Sequence, residues 1–174
     1  NLNNARAAVR NTQAELNRCN QSLALAQTRW DEAGKAIDDS RAVITTFGKQ
    51  ISLAESRLKL ATVGRKALDT SVTGLPAKQT LLTEKLNIQR QSLAQYETAL
   101  EAAKEQLQAA QQVNDPERIR QASDAVIDAE TALNRARTAL ASTSAEIEQT
   151  NRQLATARSA WTAAGKSLDD FGKK

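Results

Sequence analysis

The sequence predicts an all-α fold, an elongated antiparallel three-helix bundle or coiled coil with helical overhangs. Three observations carry that expectation. Apolar residues recur at every seventh position along most of the 174-residue chain. Gly (6) and Pro (2) are too few for a turn-rich β fold. Only two places, Thr73-Gly74-Leu75-Pro76 and Val113-Asn114-Asp115-Pro116, combine the residues that reverse a chain.

The first element is the longest. Leu2, Val9, Leu16, Leu23, Trp30, Ile37, Ile44, Ile51 and Leu58 form one row. Ala5, Thr12, Cys19, Ala26, Ala33, Ser40, Phe47, Ala54, Ala61 and Leu68 form a second, three residues further on each time. Large residues line one row and mostly small residues the other, which lets neighbouring helix backbones come close. The phase is unbroken through Gly34 and Gly48, although each glycine costs about 1 kcal/mol in a helix interior. A turn at Phe47-Gly48 is the competing arrangement, but a turn has no reason to keep phase on both sides. One helix over about 2–72 follows, roughly 105 Å long.

The second element opens after Gly74, expected as a left-handed C-terminal cap, with Pro76 starting a helix over about 77–112. Leu86, Leu93, Leu100 and Leu107 form its main row. Leu82, Tyr96, Ala103 and Ala110 fill most of the other, with Gln89 the polar exception. The third element, 116–171, follows Asp115 as N-cap, Pro116 as first helical residue and Glu117 as first-turn acid. Its rows are Ile119, Val126, Leu133, Leu140, Ile147, Leu154, Trp161 and Leu168, and Ala122, Ala129, Ala136, Thr143, Thr150, Ala157, Ala164 and Phe171. Connections this short force antiparallel neighbours, and the outer helices then overhang the shorter middle one.

An internal duplication sits on this frame. Shifting the chain by 131 positions lays residues 1–43 on 132–174 with 18 identities. Shared heptads would match apolar residues, but not Trp30 with Trp161, Gly34-Lys35 with Gly165-Lys166, and Asp38-Asp39 with Asp169-Asp170 in one register. The second copy lacks the heptad Ser40–Thr46 before Phe-Gly-Lys, an indel that leaves core phase intact. Residues 1–131 therefore read as one helical repeat and 132–174 as the start of a second, with the third helix of one unit running into the first of the next. The plan resembles spectrin-like repeats: three helices, up-down-up, a helix shared between units and a Trp in each copy. The Ala- and Gln-rich helices are also similar to coiled-coil arms of colicin-type toxins and to helical ectodomains of type III secretion translocators.

Composition excludes much chemistry. The chain has no His and one Cys, so a Ser-His-Asp triad, a His metal ligand and a thiolate zinc site are out of reach. Cofactor and metal sites are not expected, nor is enzyme activity. Lys and Arg (24) exceed Asp and Glu (20), with pI near 9.4, but both signs are interspersed and no basic cluster interleaves with aromatics. A nucleic-acid partner is therefore disfavoured. No run reaches the ~18 apolar residues of a membrane span. Gly165-Lys166-Ser167 has Ala160 where a phosphate loop needs its first Gly, and Asp38-Asp39 diverge by about 100° on a helix. Asn20-Gln21-Ser22 fits a glycosylation sequon in a poor helical setting, and Cys19 reads as core filler.

The expected role is structural, a spacer rod of tandem repeats excised from a larger protein. The alternative is a receptor-binding or oligomerising arm of a secreted bacterial toxin, translocator or surface adhesin. Secreted or bacterial-surface placement fits either. Trp30, Trp161, Phe47, Phe171, Leu23 and Leu154 are the expected packing or interface residues, with both Trp side chains expected in the core. Gly74, Leu75, Asn114 and Asp115 are the expected loop-tip contacts. Apolar rows left bare at Leu2–Trp30 and Leu154–Leu168 predict a protein partner: a neighbouring repeat, a second copy or a receptor.

Overall fold

The computed structural model describes residues 2–63 and 74–171, without the side chains of 62, 63, 169 and 170. It contains three helices, α1 (Leu2–Val63), α2 (Gly74–Val113) and α3 (Pro116–Phe171). The fold class is all-α, with α2 packed against both of its neighbours. α1 is continuous through Gly34 and Gly48, as the unbroken row requires, with no turn at Phe47-Gly48. The stretch 64–72, assigned from sequence to the end of this helix, lies outside the described residues.

One expectation at the first break is corrected. Gly74 does not cap α1 in a left-handed conformation; it opens α2, and no described Gly has positive φ. Pro76 falls inside the first turn, where the first four N–H groups lack intrahelical partners and a missing donor costs nothing. The second break is as read. Asn114 adopts φ 54° and its N–H donates to the Gln111 carbonyl at 3.1 Å, closing α2. Asp115 then caps α3.

Contacts divide the chain into two compact units. Unit 1 comprises residues 1–42 and 96–133. Its core centres on Ile37 packed with Ala102 and Ala103, flanked by Ala36, Ala125, Val126 and Ala129. Ala26, Ala33, Ala109, Ala110 and Ala122 are also buried. Small side chains at this many core positions let three helix backbones approach closely. Along α1, contacts move from Gln27 to Ile37 as they move from Arg118 to Val126 on α3, so these two run parallel. α2 runs antiparallel to both.

Unit 2 comprises residues 43–95 and 134–174. Leu75, Leu82, Leu86 and Leu154 supply its bulk, with Ala54, Thr143 and Thr150 also buried. The two threonine hydroxyls donate to the carbonyls of Ala139 and Glu146 on their own helix, so burial leaves neither unsatisfied.

α2 buries more of its circumference than its two sequence rows suggest. Ser92 and Ala99 form a third covered row, and Ala102 and Ala109 a fourth. A helix between two neighbours needs apolar or small residues on both flanks. Gln89 is buried in its expected row, and its Oε1 accepts no hydrogen bond among the described residues.

Candidate interaction surfaces

The α2–α3 connection in unit 1 is held by several hydrogen bonds and a ring contact. The Asp115 carboxylate accepts hydrogen bonds from the N–H groups of Glu117 (3.0 Å) and Arg118 (3.2 Å). Its backbone carbonyl accepts the first helical bond, from Ile119 at 2.9 Å. Arg118 turns back across the unit. It donates to Gln27 Oε1 at 2.6 Å, and its guanidinium carbon lies 5.3 Å from the centre of the Trp30 ring. That cation–π contact fixes the start of α3 against α1. Arg120 pairs with Glu117 at 2.6 Å. The hydrogen bond from Arg120, then one from Gln121 and the Arg120 charge, hold the Glu117 carboxyl below the usual carboxylate range. The same pairing raises Arg120.

Unit 2 is laced by polar contacts between helices. Lys85 meets Glu55 at 2.8 Å and Arg57 meets Glu84 at 3.1 Å, joining α1 to α2. Lys78 meets Glu146 at 3.5 Å and Gln79 donates to Asn151 at 2.7 Å, joining α2 to α3. The Arg57–Glu84 pair is exposed on both sides and contributes roughly 0–1 kcal/mol, whereas the Lys78 and Lys85 side chains are mostly covered.

Among the described residues, each unit carries a groove. In unit 1, a groove of about 590 Å³ has an alanine floor (Ala33, Ala36, Ala109) and a rim of Arg29, Glu32 and Glu105. In unit 2, one of about 430 Å³ runs beside Leu75 along α3 from Gln149 to Ala160.

The expected interface residues divide. Leu154 is buried, and Trp30 and Phe47 are half-buried. Leu23 and Phe171 are exposed. Trp161 is 72 % exposed, which corrects its expected core role: every described side chain of α3 beyond Ala160 is exposed. Cys19, expected as core filler, is exposed on α1 of unit 1. Among the expected loop-tip residues, Asn114 is exposed and Asp115 half-buried. Gly74 and Leu75 are corrected: both are buried, because Leu75 extends the Leu82 row by one heptad. Arg118 and Gln27 were not among the expected residues; they meet across 91 positions, a pairing no local pattern signals.

The remaining motifs lie on helix surfaces. Asp38 pairs with Arg41 at 3.8 Å, and the side chains of Asp169 and Asp170 lie outside the described residues. Gly165-Lys166-Ser167 and Asn20-Gln21-Ser22 are inside helices. Among the described residues no helix is long and apolar enough to cross a membrane. Comparison with protein-family models, with curated proteins and with solved structures gives no match in any of the three.

Proposed function

We propose that this chain is a non-enzymatic structural spacer built from tandem helical units, similar in plan to spectrin-like repeats. The carrying observation is the duplication of 1–43 in 132–174, which repeats Trp, Gly-Lys and Asp-Asp in one heptad register. A helix that ends one unit and begins the next transmits position along a chain without a flexible joint. The Ala-rich core of unit 1 and the cross-helix ion pairs of unit 2 suit a load-bearing scaffold rather than a reaction centre.

Small-angle X-ray scattering with light scattering tests this. A spacer gives one species whose maximum dimension is at least ~93 Å, the length of a straight 62-residue helix, unchanged by added salt. A maximum dimension near half that value, or one that collapses with salt, contradicts it.

A second reading has its own support. The bare row Leu2, Val9, Leu16 and Leu23 on α1 favours an oligomerising or receptor-binding arm of a secreted or surface protein. In that case the double substitution Leu16→Glu with Leu23→Glu removes partner binding or self-association while the units stay folded.

A further inference from the structure

The two copies of the duplicated segment are covered in complementary places. Leu2 is 68 % exposed and its counterpart Leu133 4 %; Leu23 is 52 % exposed and its counterpart Leu154 6 %. Beyond the Trp position the order reverses. Ala33 is buried and Ala164 exposed, and Ile37 is 8 % exposed against 78 % for Leu168. Trp30 is half-buried, whereas Trp161 is bare.

For the first copy, the covering element is known. The hairpin 96–133 lays Ala102, Ala103 and Val126 against Ile37 and sets Arg118 over Trp30. A second observation points the same way. A Cβ on Gly34 would lie 3.3 Å from Gln106 Nε2 of that hairpin, so the Gly34 face of α1 lies against α2. Gly165 occupies the equivalent place and faces open space. A helix-interior glycine facing open space has no local use, as Gly48 also illustrates. What distinguishes Gly165 is that its counterpart is where a second helix comes close.

We propose that the face of α3 carrying Trp161, Gly165 and Leu168 is the docking surface for a two-helix hairpin of the 96–133 type, supplied by a further repeat. This rests on the tandem-repeat reading and names what that repeat contributes. A second whole copy is a poorer occupant, because its own hairpin already covers its own α1. The match has one departure that sets specificity. Gln27, which accepts from Arg118, corresponds to Arg158. An Arg at the 118 position of the incoming hairpin would face a like charge, so a carboxylate there docks better.

The test extends the full chain. Residues 44–156 are appended after Lys174, so that 132–174 stand where 1–43 stand in the first repeat and 157–171 still occurs once. Hydrogen exchange of 157–171 is expected to slow at least about tenfold relative to the unextended chain, and further when the appended copy carries Arg118→Glu. Gly165→Leu in the extended chain returns 157–171 to its original rate, while leaving the unextended chain folded. Unchanged exchange in the extended chain overturns the proposal, whether or not the appended helices fold. Protection of 157–171 that already exists in the unextended chain and rises with its concentration also overturns it, since the occupant is then a second copy. Constant scattering dimensions with no protection would remove the docking and leave the spacer reading standing.

Discussion

Asp115 shows how much one side chain can organise. Its carboxylate takes two otherwise unpartnered N–H groups at the start of α3 and lies 3.5 Å from Arg118 Nε. Asp115→Ala is expected to destabilise the chain by about 1 kcal/mol in urea unfolding, the usual loss for an N-cap. Gln89 is the opposite case, a buried amide oxygen with no donor among the described residues. Gln89→Leu is expected to raise stability by about 1 kcal/mol, since an unsatisfied buried polar atom costs about that much or more. A loss on that substitution would mean the amide fixes register. The cap was legible because Asp-Pro-Glu is local chemistry. The Arg118–Gln27–Trp30 cluster was not, because its members are far apart in sequence and any Arg on a helix surface has the same local appearance.

The helices themselves were legible in proportion to their periodicity. α1 and α3 follow their seven-residue rows, and α1 continues through its two glycines. These glycines separate propensity from packing. Gly48→Ala is expected to stabilise by about 0.5–1 kcal/mol, since the added methyl meets nothing within 4 Å. Gly34→Ala should gain less, because its methyl displaces Gln106. Thermal or urea unfolding of the pair checks the order. The start of α2 differs from expectation because Gly-Leu-Pro has the composition of a helix stop followed by a start. The burial of Leu75 shows that the Leu82 row already governs that segment. The extra covered rows of α2 went unseen because Ser, Ala and Gln do not register as apolar stripes.

At the scale of the whole molecule, the duplication was visible in sequence, but its coverage was not. A heptad row looks the same whether a neighbour lies on it or water does, so Trp161 and Trp30 read alike and differ in the structure. Large apolar residues at regular spacing are rarely left in water without a partner. The complementary bare stretches, one in each copy, are therefore the feature from which the proposed docking surface grows. Native-state hydrogen exchange on the unmodified chain at low protein concentration tests that feature most directly. Slow exchange is predicted within 26–61 and 75–156, and fast exchange within 2–22 and 160–171, where every described side chain is exposed. Equal protection of 2–22 or 160–171, independent of concentration, would show those faces already covered within the chain and would contradict the complementary pattern.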